Sequence, residues 1–232
     1  MSGSDYGSWL MPVPHTEDWI AAIPRTAALP CLTEPAEMPL AQEPGFEPLV
    51  QVDHPRVTVV PCYRQAGWSE ATAEVLVRSG VFERLCAAAE HIPDPWGLAV
   101  LDGWRPLALQ DALFRAAYAD PALPPGFVAE PSSSPTTPPP HLTGGAIDCT
   151  LTWEGNPLAL GTDFDDFTPR ARTDALEGEP GPARDLRRWL YWVMHAEGFV
   201  VLDVEWWHFE FGTRRWAAVT GAAPLYGPAV GP

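Results

Sequence analysis

Two histidines and two acidic residues stand in sequence surroundings that could support metal chemistry. His141 opens PHLTGGAID, in which six residues separate it from Asp148. The two glycines between them permit a tight reversal, so both side chains can converge on one point. His208 closes EWWH, with Glu205 three positions before it. Two neutral imidazoles and one carboxylate suit Zn²⁺ and leave its fourth position for water, so the sequence predicts a catalytic zinc site.

Glu205 and Arg105 could supply the remaining groups that hydrolysis needs. Zinc lowers the pKa of its bound water to about 7, and Glu205 is near enough to His208 in sequence to move the water's proton to a leaving amine. Positions 205 and 208 of a regular strand point to opposite faces, so this hypothesis requires a turn or bulge at Trp206 and Trp207. Arg105 follows the apolar run LAVLDGW and could stabilise an oxyanion as a fixed cation.

Each of these residues also has a structural interpretation. A single histidine is usually structural, Asp148 could cap the end of a strand, and Arg105 could begin a helix or form a surface ion pair. The combination is harder to explain in this way, because buried charges are costly without a metal or a partner. A non-haem iron site also uses two histidines and a carboxylate, but there the carboxylate commonly follows the first histidine much more closely.

The elements that must position these residues are short. We predict strands at 56–60, 98–101 and 146–153, a hairpin from 199–203 and 207–211, and helices at 69–91, 106–117 and 183–197. Ser69 is the expected N-cap of the first helix, and Gly198 is expected to end the last. Because helices and strands alternate without a βαβ rhythm, we expect an α+β fold: a single domain with a small, mostly antiparallel sheet covered by helices.

Proline predicts two irregular segments. The first fifty residues contain eight prolines and cannot form a long helix, so residues 1–54 are expected to be an extended arm packed on a catalytic domain of residues 55–232. The run PSSSPTTPPP at 131–140 is expected to form a stiff loop over or beside the site. Residues 163–181 are polar and are expected to be irregular.

Charge and composition restrict the partners. The chain has 30 acidic and 14 basic residues, for a formal net charge of −16, which repels nucleic acid. No apolar run is long enough to predict a membrane span, and the N-terminus lacks the pattern of a secretory signal. We therefore expect a cytoplasmic protein with a small-molecule substrate, whose four scattered cysteines are reduced and mostly buried. The oligomeric state stays open.

Four motifs occur in order along the chain: DGWRP at 102–106, PHLTGGAIDCTL at 140–151, LGTDFDDF at 160–167 and EWWHFEFG at 205–212. Together they resemble the D-alanyl-D-alanine dipeptidases of the vancomycin-resistance type, within the wider zinc D,D-peptidase group. That group is similar in fold to the cell-wall carboxypeptidases and to the hedgehog signalling domain. The resemblance covers about residues 55 to 215.

The resemblance implies one zinc ion per chain and a role for each of six residues: His141, Asp148 and His208 as zinc ligands, Glu205 as the catalytic base, Arg105 as the group that polarises the scissile carbonyl, and Asp165 as the partner of the substrate's free amino group. Asp163 and Asp166 lie close to Asp165 in sequence and stay candidates for that last role. The implied reaction is hydrolysis of a short dipeptide containing D-amino acids, with D-Ala-D-Ala as the first candidate.

Two departures from the family pattern leave the substrate open. Pro139 stands where the family often has a serine, and the family's YATxDNFxG stretch has no counterpart in residues 1–60. A related dipeptide could therefore replace D-Ala-D-Ala as the substrate. Two further functions fit the same residues: a D,D-carboxypeptidase that trims peptidoglycan peptides, and a binding module that keeps zinc without catalysis. The binding module predicts loss of the base or the arginine, and both are present.

Overall fold

The structure is a computed structural model that describes residues 8–41, 47–123 and 126–231. Within these ranges the strands are β1 (Met11–Pro12), β2 (Leu49–Gln51), β3 (Val57–Val59), β4 (Leu76–Arg78), β5 (Trp96–Asp102), β6 (Ala146–Trp153), β7 (Asn156–Ala159), β8 (Val200–Val201) and β9 (His208–Glu210). The helices are α1 (Glu17–Ala21), α2 (Cys62–Gln65), α3 (Ser79–Glu90), α4 (Leu107–Ala117), α5 (Pro182–Ala196) and α6 (Arg214–Thr220), with 3-10 turns at His141–Thr143 and Pro169–Ala171.

The main sheet is built around β6. Its strand order is β1-β7-β6-β5-β3, and β9 pairs with both β6 and β8. The pairings of β6 with β5, β7 and β9, and of β8 with β9, are antiparallel, whereas β1–β7 and β3–β5 are parallel. The predicted α+β fold with a mostly antiparallel sheet is confirmed.

The longest helix in the described ranges, α5, packs against β6 and α3. Its residues Leu186, Leu190 and Met194 recur at a spacing of four and are fully buried, as one face of an amphipathic helix should be. Burial of each such leucine contributes roughly 2 kcal/mol to folding. The chain leaves the helix at Gly198, whose φ of +84° confirms the predicted end. No described helix combines the length and apolarity that a membrane span requires.

The helix predicted at 69–91 begins ten residues later in the structure than the sequence predicted. Residues 76–78 form β4, which pairs with β2, and α3 begins only at Ser79. Val75, Leu76 and Val77 are buried, and β-branched side chains favour the strand conformation once a partner strand is available. Ser69 is therefore not the helix N-cap. The tertiary pairing outweighs the helical spacing of the sequence.

The N-terminal segment contributes to the core. β1 adds to the sheet beside β7, and Trp19 of α1 is buried with its ring centroid 5.1 Å from that of Trp96 and 5.8 Å from that of Trp153. The division into an arm of residues 1–54 and a domain of residues 55–232 stays a prediction. The four cysteines are unpaired, and Cys62 and Cys149 are fully buried.

Candidate active site

Three neighbouring strands bring the predicted residues together. Antiparallel pairing of β6 with β9 places Asp148 directly opposite His208, and directly opposed side chains lie close together. β5 pairs with the other edge of β6 and places Asp102 opposite Asp148, three residues before Arg105. His141 reaches the same point from the 3-10 turn that precedes β6.

The two glycines before β6 make this approach possible. Gly144 ends the 3-10 turn with a φ of +71°, a conformation that glycine adopts without strain. The backbone of Gly145 lies so close to β9 that a β-carbon there would come within 2.7 Å of the Phe211 carbonyl oxygen. The tight reversal predicted from these glycines is confirmed, and it directs His141 back towards Asp148.

The three candidate ligands form a buried cluster. Asp148 Oδ1 lies 3.0 Å from His208 Nδ1, and Asp148 Oδ2 lies 3.4 Å from His141 Nε2. One ligand atom from each residue lies within 4.8 Å of the others. All three residues are buried: His141 is 5% exposed, Asp148 2% and His208 4%. Two nitrogens and one carboxylate converging in this way fit a zinc ion with an open fourth position.

A contact at the outer nitrogen of each imidazole determines which nitrogen faces the cluster. Nδ1 of His141 lies 2.8 Å from the carbonyl oxygen of Gly103, so Nδ1 donates and Nε2 is left as the ligand atom. Nε2 of His208 lies 3.2 Å from Oε1 of Glu210, whose other oxygen accepts a hydrogen bond from Thr213. This arrangement leaves Nδ1 of His208 towards Asp148. Such partners are a regular feature of metal-binding histidines.

The charges within the cluster reinforce one another. Burial by itself lowers the pKa of His208, but hydrogen bonds to Asp148 and Glu210 outweigh it and raise the pKa to about 10. Burial by itself raises the pKa of Asp148, but His141 and His208 hold that pKa below its usual range. Asp148 is therefore ionised at neutral pH. A buried carboxylate beside two imidazoles attracts a cation, and a metal ion competes there with the imidazole proton.

Glu205 shares the site because the chain turns between it and β9. The backbone N–H of His208 donates to the carbonyl oxygen of Glu205 at 3.3 Å, and Trp206 and Trp207 form the turn between them. The predicted irregularity is confirmed. Burial raises the pKa of Glu205 to about 8. A carboxyl with a pKa near neutrality can both take up and release a proton.

Arg105 is held beside the cluster by several partners. Its Nε donates to Asp102 at 2.9 Å and its Nη1 to Gln110 at 2.9 Å. Nη2 lies 3.7 Å from Oδ2 of Asp148 and 3.3 Å from the Tyr63 hydroxyl. A guanidinium fixed from several sides is a preorganised cation that loses little entropy when it binds a ligand.

Of the three acidic residues in LGTDFDDF, only Asp165 lines the cavity of the site in the described ranges. The Tyr63 hydroxyl donates to its Oδ1 at 3.3 Å, and burial raises its pKa to about 7. Asp163 and Asp166 instead accept hydrogen bonds from backbone N–H groups of their own loop. Asp165 also has a φ of +57°, a strained conformation of the kind often found at binding sites.

These groups surround a cavity of about 460 Å³. Thr137 and the three prolines 138–140 form part of its wall, so the loop predicted at 131–140 does lie beside the site. Leu113 of α4 and Phe127 form another part, and Glu34 and Met38 of the N-terminal segment a third. The volume suits a small molecule.

Sequence reasoning assigned no role to four contributors, namely Tyr63, Asp102, Gln110 and Glu210. Glu210 could have been found, because residues i and i+2 of a strand point to the same face and it lies two after His208. Asp102 stands in the DGWRP motif, three residues before Arg105. The sequence carries no signal for Tyr63, whose contact with the site depends on a partner 102 residues away.

A family model described as D-ala-D-ala dipeptidase, Peptidase_M15, matches residues 64–220. The chain belongs to this family. The match includes all six residues with predicted roles, and it makes the chain an enzyme, a metallopeptidase of the Peptidase_M15 family.

Curated members of the D-ala-D-ala dipeptidase family are similar to the chain. A D-alanyl-D-alanine dipeptidase of Synechocystis sp. is 27% identical over 190 residues, which cover 67% of this chain and 77% of the relative. A D-alanyl-D-alanine dipeptidase of Escherichia coli is 34% identical over 114 residues, which cover 49% of this chain and 54% of the relative.

Two solved structures are also similar. The vancomycin-resistance D,D-dipeptidase VanXYg, in complex with a D-Ala-D-Ala phosphinate analogue, is 20% identical with a TM-score of 0.41, over 71% of this chain and 60% of that chain. The LdcB LD-carboxypeptidase is 17% identical with a TM-score of 0.42, over 97% of this chain and 94% of that chain.

Proposed function

We propose that the chain is a zinc-dependent dipeptidase that hydrolyses a short dipeptide containing D-amino acids, with D-Ala-D-Ala as the first candidate. The observation that carries this proposal is the convergence of three buried ligand atoms beside Glu205 and Arg105 in a member of the D-ala-D-ala dipeptidase family. The expected cytoplasmic location stays a prediction from the sequence.

His141, Asp148 and His208 would hold the zinc ion. When bound, zinc supplies a Lewis acid and lowers the pKa of water to about 7. The protein's own contribution is to hold one proton of each imidazole on the nitrogen that faces away from the ion, through the contacts with Gly103 and Glu210, so that the other nitrogen can bind the metal.

Glu210→Gln is expected to weaken zinc binding by about 10- to 100-fold, the usual effect of removing the outer partner of a metal-binding histidine. The amide can still accept a hydrogen bond from Thr213 but lacks the charge that orients His208. Zinc affinity would be measured by competition with a chromophoric chelator. Glu197→Gln, at the end of α5, is the matched control. Equal affinity in the Glu210 variant and the wild type would show that Glu210 does not support the ligand.

Glu205 performs the proton transfers in this proposal. Its carboxylate takes a proton from the attacking water and delivers it to the nitrogen of the leaving amino acid. Burial raises its pKa, which makes the carboxylate a stronger base than an exposed glutamate.

Arg105 stabilises the negative charge that develops on the scissile carbonyl oxygen. The guanidinium is already fixed by Asp102, Gln110 and Tyr63, so no reorganisation is needed as charge forms. Stabilisation of this kind is usually the largest single electrostatic contribution to acyl transfer.

Asp165 binds the ammonium group of the dipeptide. We expect Asp165→Asn to lower kcat/KM about 10- to 100-fold, mainly through KM, because a charge-assisted hydrogen bond is lost. Asp166→Asn is the matched control, since its carboxylate accepts from a backbone N–H of the loop. Initial rates over a range of dipeptide concentrations measure both constants. If Asp166→Asn had the larger effect on KM, the ammonium site would be assigned to the wrong aspartate.

The proposal as a whole is tested with a panel of D,D, L,D, D,L and L,L dipeptides, with and without a chelator. Hydrolysis of a dipeptide with at least one D-residue, lost on chelation and restored by zinc, is the expected result. Comparable rates on a peptidoglycan pentapeptide would favour a carboxypeptidase instead. Zinc binding without hydrolysis of any peptide would favour a binding module.

A further inference from the structure

The proposed function leaves one charged group of the substrate without a partner. A dipeptide carries a C-terminal carboxylate, and burying that charge is costly unless a donor meets it. Pro138, Pro139 and Pro140 line the cavity next to His141 and have no backbone N–H to donate. The chain is acidic overall, with a net charge of −16, so a cationic side chain close to the carboxylate is needed to offset its charge.

The chain has no lysine, so that cation must be an arginine. Within the described ranges the arginines that line the cavity are Arg105, Arg214 and Arg215. The nitrogens of Arg105 are bound to Asp102, Gln110 and Tyr63, and the proposed reaction uses this residue at the scissile carbonyl. The Nε of Arg214 donates to the carbonyl oxygen of Pro39 at 2.7 Å, in a solvent-exposed hydrogen bond. Arg215 is the candidate that is left.

Arg215 presents an unused donor in a fixed position. It lies in the first turn of α6 and is 5% exposed. Its Nε donates to Oε2 of Glu34 at 2.9 Å, and Nη2 donates to the other oxygen of the same carboxylate. Nη1 is buried and has no hydrogen-bond partner among the described residues. A buried donor without a partner is costly to leave in that state, and Arg215 is among the residues that line the cavity, so a carboxylate bound there would supply the missing partner.

The position of Arg215 agrees with the direction of the dipeptide. Asp165 and Arg105 share the Tyr63 hydroxyl and would hold the ammonium group and the carbonyl. Arg215 lies on the side of the metal ligand His208. Glu210 contacts His208 and also interacts electrostatically with Arg215. With the ammonium group at Asp165 and the scissile carbonyl at Arg105, the C-terminal carboxylate is the end of the dipeptide that points away from Asp165.

We propose that Nη1 of Arg215 binds the C-terminal carboxylate of the dipeptide, and that Glu34 is the positioning residue that holds the guanidinium in place. This inference rests on the proposed function. Glu34 lies outside the range matched by the family model, residues 64–220. The N-terminal segment thus takes part in substrate recognition through a residue that the family match does not include.

The test compares D-Ala-D-Ala with its C-terminal amide, which lacks the negative charge. The wild type is expected to favour the free acid in kcat/KM by about 10- to 100-fold, the usual value of a charge-assisted hydrogen bond. In Arg215→Gln this preference is expected to disappear, because kcat/KM should fall far more for the free acid than for the amide. Arg214→Gln, the neighbouring arginine on the same wall, is the matched control and should keep the preference.

Several results would overturn the inference. They are a wild type that cleaves acid and amide equally, an Arg215→Gln variant that loses both activities in proportion, and an Arg214→Gln variant that alone loses the preference. A wild type that cleaves no dipeptide contradicts the proposed function instead. If Arg215→Gln does not fold, a crystal structure of the wild type with a phosphinate dipeptide analogue decides: a carboxylate within hydrogen-bond distance of Nη1 supports the inference, and one bound elsewhere overturns it.

Discussion

Replacing Glu205 by glutamine is expected to lower kcat for dipeptide hydrolysis by about 100- to 10,000-fold, the range that general acid–base catalysis contributes. Glutamine has nearly the same shape but cannot take up the proton of the attacking water. Burial raises the pKa of this carboxyl to about 8. The effect should fall on kcat, because Glu205 is not among the three clustered ligand residues.

Two measurements distinguish loss of the base from loss of the site. Zinc content, determined by plasma mass spectrometry, should be the same in Glu205→Gln and the wild type. Glu130→Gln removes an exposed carboxylate from the wall of the same cavity and should leave kcat close to that of the wild type. A Glu205→Gln enzyme that keeps its zinc and turns over at the wild-type rate would remove Glu205 from the mechanism.

The second large effect is expected at the carboxylate ligand. Asp148→Asn should weaken zinc binding by more than about 100-fold, a larger loss than removal of an outer partner causes. Hydrolysis should be lost with the metal. The amide has nearly the same volume, but it removes the buried negative charge that lies 3.0 Å from His208 and 3.4 Å from His141. Competition with a chelator measures the affinity, and dipeptide hydrolysis in added zinc measures the activity.

Asp163→Asn is the control for this variant. Asp163 accepts a backbone hydrogen bond within its own loop, an interaction that an asparagine oxygen can also make, so zinc affinity and activity should be retained. Thermal unfolding of both variants shows whether Asp148→Asn keeps its fold. An Asp148→Asn protein that binds zinc as tightly as the wild type would exclude Asp148 from the ligand set.

Two local features of the site could be predicted from the sequence because each depends on neighbouring residues. Two glycines between His141 and Asp148 require a reversal, and the odd spacing of Glu205 and His208 requires a turn. Both requirements are met in the structure. The alternating segment 146–153 likewise predicted β6 over its whole length. Each of these predictions depended on residues within one short segment.

The features of the fold and the site that the sequence did not predict depend on contacts between distant segments. β4 forms because residues 76–78 find β2 as a partner, which helical spacing alone does not reveal. Tyr63 reaches Asp165, and Glu34 reaches Arg215 across 181 residues of chain. The roles of these residues are set by the packing of the whole domain, so a search of the sequence for local motifs passes over them.

The central claim is that His141, Asp148 and His208 bind one zinc ion. Anomalous diffraction from crystals of the zinc-loaded protein, recorded on both sides of the zinc absorption edge, tests it most directly. A single anomalous peak per chain between His141 Nε2, His208 Nδ1 and an oxygen of Asp148 is the expected result. A zinc peak located elsewhere in a fully loaded protein, with these three side chains in contact only with one another, would contradict it.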